Sequence, residues 1–369
     1  MKRLRILLLN TYDMNKVRDL YSQGLYPSHH LYGTHELAKD YNAEVIIPKH
    51  EKYRILNRIG DFFDIGFLDQ QIRAIFNARN YDIIYAPYAA SNTKLIILLK
   101  LLGFFRKPLL ILVHHPLFGK PSRYRWKRYV VKILIRQYDT IIFCSQKMRS
   151  QLIEAYNFDQ RYITNHFFSC QMGVDLLYYK QFIDDSSFVT KKFIMSAGNT
   201  SRDFNVLVQA CEKIGLPAKI YCRQKSMPSV PIPSQITLYS GDFPFEQICK
   251  DYNDAQFVLI PLNKSPAGIF GMTSLLDALA MKKPVIMTKN ENIDMDLEAE
   301  GAGILIADNN VASWAGAISK LWHDYTTLER MATNSFRLAQ EFDINNFAKC
   351  LAKALLITHE RRAGKPKLF

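Results

Sequence analysis

Short apolar runs alternate with longer amphipathic segments along the whole chain. Arg5 to Leu9 reads as a strand, and Ser28 to Tyr41 as a helix with Leu31, His35 and Ala38 along one side. Glu44 to Pro48 is a strand and Asp69 to Asn80 a helix, and Asp82 to Tyr85, Leu109 to Val113 and Thr140 to Cys144 are further strands with helical segments between them. The rhythm then repeats. Lys192 to Ala197, Ala218 to Cys222, Phe257 to Pro261, Pro284 to Thr288 and Gly303 to Ile306 read as strands. Helices are expected over Asp203 to Ile214, Glu246 to Asn253, Thr273 to Met281, Trp314 to Asp324 and Leu328 to Gln340. Strands this apolar, separated by helices, belong to parallel sheets covered on both faces. The pattern predicts an α/β protein of two doubly wound units, residues 1–180 and 181–342, followed by a last helix and basic tail over 343–369. The join falls near residues 175–190, a polar stretch with Asp184, Asp185, Ser186 and Ser187. A length of 369 residues suits two cores better than one. Ligands of such sheets bind beyond the carboxyl ends of the strands, and two facing sheets would make an interdomain cleft.

Composition changes this picture little: 48% hydrophobic and 22% charged residues are ordinary for a globular chain. The six cysteines (144, 170, 211, 222, 249 and 350) form no CxxC pair. Their scatter argues against a zinc site and a disulfide framework and suits a reducing cytoplasm. The opening MKRLRILLLNTYD has too short an apolar run for a signal peptide and reads as a buried first strand. Leu95 to Leu102 is the most apolar stretch, yet it falls well short of the ~20 residues of a membrane span. No transmembrane helix is expected.

Charge adds more. The net charge of +14 is concentrated: Ile83 to Tyr138 holds eleven Lys and Arg and no Asp or Glu. Basic residues there alternate with Phe104, Phe105, Tyr124, Trp126 and Tyr129. The mixture suits an anionic membrane surface, at roughly 1 kcal/mol per basic residue near the lipid. It could equally attract nucleic acid, but the modular motifs of nucleic-acid-binding proteins are missing, so a membrane partner is preferred.

The stretch most specific for chemistry runs from Pro261 to Ile286. A strand ends at Pro261, a loop carries Gly268 and Gly271, and a helix begins near Thr273. The first turn of a helix offers unpaired N–H groups and the positive end of a dipole, which suits a diphosphate. Thr273 can add a hydroxyl, and Asp277, one turn on, can accept bonds from ribose hydroxyls.

This stretch resembles the donor-binding motif of glycosyltransferase family 4 (glycosyl transferases group 1), whose helix reads Leu-Glu-Ala-Met-Ala-x-Gly-x-Pro-Val-Ile. The resemblance implies the GT-B fold of two Rossmann-like domains and places Asp277 at the position that contacts ribose. Ser196-Ala-Gly198-Asn-Thr-Ser-Arg202-Asp-Phe-x-x-Leu207 resembles the loop whose basic residue grips the donor diphosphate. Gly173-Val174-Asp175 resembles the end of the first domain, and Phe342 to Leu355 the helix that crosses back onto it. The donor residues so implied are Gly198, Asn199, Arg202, Arg223, Gly271, Met272, Thr273 and Asp277. Two positions depart from the family. Ile269 stands eight residues before Asp277, where an acidic residue usually meets the donor sugar, and Asn199 stands where many members carry arginine.

In the first half, Leu109 to Val113 runs into His114, His115 and Pro116. Similar enzymes keep a histidine at this strand end, facing the donor sugar. Spacing favours His114, with His115 the alternative, and an imidazole can bond a sugar hydroxyl or share a developing charge. His29, His30 and His35 lack the i, i+4 spacing of a metal site and are read as surface or acceptor-side residues. Asp294-Met-Asp296 mimics a metal-binding Asp-x-Asp but sits among Glu291, Glu298 and Glu300, and reads as a solvated acidic loop.

The sequence therefore predicts a metal-independent glycosyltransferase without a cofactor, retaining by resemblance. Its donor would be a UDP- or GDP-sugar, and its acceptor a lipid-linked or membrane-presented glycan in polysaccharide or cell-envelope synthesis. It would sit in the cytoplasm, peripherally on the inner face of the membrane. Rival readings are an inverting transferase or nucleotide-sugar epimerase of the same fold, or a basic nucleic-acid-binding protein. A dinucleotide oxidoreductase ranks low, because no GxGxxG follows the first strand (Leu9-Asn-Thr-Tyr-Asp13).

Overall fold

The computed structural model describes residues 3–87, 90–184, 193–263, 267–362 and 364. Asp185, Ser186 and Ser187 of the expected join, Lys192, and most of the basic tail lie outside them. The chain divides into two compact units, one built from residues 1–22, 28–173 and 344–369 and the other from 23–27 and 174–343.

The first unit holds one parallel sheet. Its strands are β1 (Leu4–Leu8), β2 (Ala43–Ile46), β3 (Ile83–Ala86), β4 (Leu109–Val113), β5 (Thr140–Phe143) and β6 (Phe167–Ser169), in the order β2-β1-β3-β4-β5-β6. Strands β3, β4 and β5 are buried along their whole length, as their apolar sequences, with Thr140 the one polar residue, require. The final helix, Ile344–Arg362, lies on this sheet with Phe347, Leu351, Ala354 and Leu355 turned into the core. A brace at its far end holds it. Asp139 accepts from Lys100 at 2.7 Å, from the Leu109 amide at 2.9 Å and from Arg362 at 2.6 Å. A buried carboxylate needs such partners, since an isolated one would be strongly disfavoured.

Two expectations for this unit change. Cys170 and Cys350 form a disulfide, against the reading of six unpaired cysteines. They are 180 residues apart and meet only because the last helix packs back, so sequence spacing carries no sign of the pair. The helix expected over Ser28 to Tyr41 is broken into a 3-10 turn (Ser28–Leu31) and a helix (Thr34–Asp40). Tyr32 and Gly33 between them take left-handed backbone (φ 52° and 76°). The break lets the chain pass beneath Phe347: a Cβ on Gly33 would lie 3.0 Å from that ring.

The second unit also holds one parallel sheet, formed by β7 (Phe193–Ala197), β8 (Ala218–Cys222), β9 (Ile236–Ser240), β10 (Ala255–Ile260), β11 (Val285–Thr288) and β12 (Gly303–Ile306). The order is β12-β11-β10-β7-β8-β9. From β7 the chain builds outward through β8 and β9, then returns to lay β10, β11 and β12 on the other side. The order reverses between β7 and β10, and loops leaving that point diverge to open a crevice at the carboxyl edge. The first unit ends at Gly173, not at residue 180 as expected: the helix Leu176–Lys180 packs within the second unit. Gly173 leaves no room for a side chain, since a Cβ would lie 2.6 Å from the Ile344 Cα.

Candidate functional site

Both loops that leave the switch point carry predicted site residues. The loop after β7 runs from Gly198 to Arg202, and the loop after β10 runs from Pro261 to Gly271. Backbone bonds sew them together: the Asp203 amide donates to Pro261 O at 3.0 Å and the Asn263 amide to Ser201 O at 3.0 Å. Asn309 reinforces the seam by donating to both the Asp203 carboxylate and Leu262 O, each at 3.0 Å. Asn290 holds the far end of the second loop through Gly268 O (2.9 Å) and Phe270 O (3.0 Å). Lys264, Ser265 and Pro266 lie outside the described residues.

Arg202 is the centre of this arrangement. Its guanidinium folds back over Gly198, where a Cβ would stand only 2.5 Å from an Arg202 nitrogen. Gly198 also has a φ of 154°, which side-chain-bearing residues rarely adopt. The guanidinium donates to Thr200 O at 2.9 Å and to the Ser274 hydroxyl at 2.8 Å. Its Nε is buried without a hydrogen-bond partner. Burial lowers the Arg202 pKa to about 10, partly offset by Tyr252, so the group stays charged at neutral pH.

Ser274 is a residue that sequence reasoning missed. Its hydroxyl accepts from Arg202 and donates to Ala197 O at 2.9 Å, tying the helix Met272–Ala280 to the end of β7. The adjacent Thr273-Ser274 hydroxyl pair was the available signal. Gly271 caps the helix in a left-handed conformation (φ 90°) and makes no side-chain cap. A Cβ there would meet the Met287 methyl at 2.7 Å. Thr273 is therefore a first-turn residue, and by helix geometry its amide and that of Ser274 have no partner within the helix. Met272 is buried and Thr273 half-buried. The first turn and the Arg202 guanidinium thus bring positive potential to one place.

Asn199 serves as a brace within its loop. Its side-chain oxygen accepts from the Arg223 amide at 2.6 Å, and its carbonyl accepts from the Ser226 hydroxyl at 2.5 Å. It braces the first loop against the turn after β8, while the Arg223 side chain stands exposed beside it. Asp277 is buried, unlike an ordinary surface helix residue. Its carboxylate accepts from Tyr179 at 2.6 Å. Asp175 makes that contact possible by capping the helix Leu176–Lys180 through the Tyr178 amide at 3.0 Å. Tyr26, on the short segment 23–27 that belongs to this unit, lies edge-on to Phe245 at 4.7 Å. Burial first and the Asp277 charge second push the Tyr26 hydroxyl up to about 12. Ile269 is buried, so the position of the family's first acidic residue is apolar here in surroundings as well as in identity.

His114 stands at the end of β4 in the first unit, its ring 5.7 Å from that of Tyr32. Burial, with a smaller push from His115, lowers its pKa to about 3. The imidazole is neutral throughout the physiological range. Of the surface or acceptor-side readings of the other histidines, the surface one fails for His29, which is buried with its ring 4.4 Å from that of His30, while half-buried His35 meets the Tyr21 hydroxyl through Nε2 at 2.9 Å. Asp296 accepts from the Glu298 and Ala299 amides at 3.1 Å each, the work of a turn cap. Among the described residues no group of three His, Cys, Asp or Glu could hold a metal ion, and no helix is long and apolar enough to cross a membrane.

Residues 28–165 match the family model described as Glycosyltransferase Family 4. No curated protein matches the chain by sequence. Solved structures share its fold at low identity. Anabaena HepE in complex with UDP-glucose is similar at 15% identity and a TM-score of 0.65, with 96% of this chain and 100% of that chain covered. Sucrose-phosphate synthase from Thermosynechococcus elongatus is similar at 14% and 0.64, with 96% and 98% covered. A Listeria monocytogenes protein assigned as a UDP-N-acetylglucosamine 2-epimerase is similar at 12% and 0.55, with both chains fully covered. The two parallel sheets and these likenesses give the GT-B fold. Within that fold, the likeness to Glycosyltransferase Family 4 lies over residues 28–165.

Proposed function

We propose that the chain transfers a sugar from a nucleotide diphosphate sugar to a glycan acceptor, with retention of configuration. One observation carries the reading: the Arg202 guanidinium is fixed over Gly198 and joined through Ser274 to the first turn of Met272–Ala280, at the switch point of the second sheet. Diphosphate oxygens meeting this corner would find a held cation and helix-terminal amides, which together can neutralise a leaving nucleoside diphosphate. A divalent metal is not needed for that task. We favour a UDP-sugar over a GDP-sugar, because HepE is seen with UDP-glucose. The acceptor, on this reading, is a lipid-linked or membrane-presented glycan in polysaccharide or cell-envelope synthesis. It would be met at the inner face of the membrane, where the basic first unit would lie against anionic lipid.

Thermal-shift screening against UDP-, GDP-, ADP- and dTDP-sugars tests the donor. The true donor at ~100 times its dissociation constant should add about 2.7 kcal/mol of stability. Turnover with that donor should survive EDTA, and loss that Mn²⁺ restores would overturn metal independence. The likeness to the Listeria protein keeps an epimerase as the second reading. NMR of the product separates the two: a new glycosidic bond of retained configuration supports transfer, and an epimerised nucleotide sugar without acceptor supports the other.

A further inference from the structure

The helix Arg54–Phe62 is built inside out. Its buried side carries Asn57 and Gly60. Asn57 accepts from the Asp69 amide at 3.0 Å, and a Cβ on Gly60 would lie 2.3 Å from Gly66 O, so this side is pressed tightly onto the unit. Ile55, Ile59, Phe62 and Phe63 follow the spacing of one helical face. That face points outward, with Phe62 83% exposed.

The helices packed beside it also carry exposed apolar residues. Arg54–Phe62 packs on Leu68–Phe76, that helix on Lys94–Leu101, and that one on Arg125–Ile135. Phe76 at the end of the second is 85% exposed, and Phe104 after the third is 79% exposed. On the fourth, Trp126 and Tyr129 stand out beside Arg125, Arg128 and Lys132, lining a groove against Tyr156 and Asn157. Apolar side chains gathered on adjoining elements, unlike scattered single ones, mark interaction surfaces. Two of the four helices, Lys94–Leu101 and Arg125–Ile135, fall in the stretch with eleven basic and no acidic residues, while Arg54–Phe62 balances Arg54 and Arg58 against Asp61 and the nearby Asp64.

We propose that this four-helix layer is a bilayer-docking face, with Ile55, Ile59, Phe62 and Phe63 entering the acyl boundary and the cations of Arg125–Ile135 meeting anionic headgroups. Charge selects this occupant. A second copy applied to the same face would set the cations of Arg125–Ile135 against one another, whereas an anionic leaflet supplies both an apolar layer and opposite charge. The inference deepens the membrane-presented acceptor of the proposed function and rests on it for its purpose, but binding to lipid can be measured without any substrate.

Sedimentation with phosphatidylglycerol–phosphatidylcholine vesicles is the test, using the full chain and two double variants. Wild type should bind, and should keep part of its binding at high salt. Phe62→Ser with Phe63→Ser should lose affinity about tenfold or more. Arg125→Gln with Arg128→Gln should lose roughly thirtyfold at low salt, at about 1 kcal/mol per charge. Three results would overturn the proposal: no binding by wild type, unchanged binding by the phenylalanine variant, or a wild-type dimer without vesicle binding that this variant abolishes. Circular dichroism of the same variants checks that they are folded. Titration of wild type with UDP separates the readings, since vesicle binding without UDP binding would remove the donor and leave the docking face.

Discussion

Arg202→Ala should weaken binding of every nucleoside diphosphate tested by about tenfold to hundredfold while the protein stays folded. The guanidinium carries full charge at neutral pH despite its burial, and a charge-assisted bond to phosphate is worth roughly 1.5–3 kcal/mol. The side chain already has its position before any ligand arrives, held by Thr200 O and the Ser274 hydroxyl, so little ordering opposes the contact. Ser274 keeps its bond to Ala197 O when the arginine is removed, which preserves the loop. Gly198→Ala should imitate the loss without touching Arg202, because its methyl would occupy the space of the guanidinium. Thr273→Val and Asp277→Asn should cost less. The first leaves the helix amides in place, and the second keeps an acceptor for the Tyr179 hydroxyl. Calorimetry with UDP measures the series. A folded Arg202→Ala variant that binds UDP as tightly as wild type would show that the diphosphate lies elsewhere.

Why this corner was legible while its surroundings were not follows from how contacts are encoded. Strands β3, β4, β5 and β10 are buried on both faces, and apolar runs broken at most by one polar residue, Thr140 in β5 and Gln256 in β10, announce that directly. Gly198 and Arg202 are four residues apart in one loop, so their relation is local and a sequence pattern can hold it. Tyr179 and Asp277 are 98 residues apart and Cys170 and Cys350 are 180 apart. Nothing near any of those four residues specifies the other. Tyr26 is further from reach still, since its segment sits in the second unit although the chain on either side belongs to the first. The helix Arg54–Phe62 escaped for another reason. A search for core-facing stripes assumes that apolar residues point inward, and here Asn57 and Gly60 take the inner positions. Departures of this kind, where local pattern and burial disagree, are where surface function is to be sought.

The electrostatics of His114 narrow what it can do. The sequence left two roles open, bonding a sugar hydroxyl or sharing a developing charge. An imidazole with a pKa of about 3 resists a proton, so the second role is disfavoured and a neutral hydrogen-bonding role fits. His114→Ala should therefore cut turnover about tenfold to hundredfold, the worth of one well-placed bond in the transition state, with UDP affinity largely kept. His114→Asn retains a donor and an acceptor and should recover part of the rate. Turnover should show no titration assignable to this histidine between pH 5 and 8. Stability should show one. The folded pKa lies below the ordinary value of 6.5, so between about 3 and 6.5 the unfolded chain binds a proton that the folded chain refuses. The stabilisation is complete above 6.5 and is lost as pH falls, by about 2 kcal/mol at pH 5. Denaturant unfolding at pH 7 and pH 5 should accordingly show a smaller acid loss in His114→Asn than in wild type. Equal acid losses would mean that the imidazole is not held neutral. A wild-type rate in His114→Ala, with the loss appearing in His115→Ala instead, would move the role to the neighbouring residue.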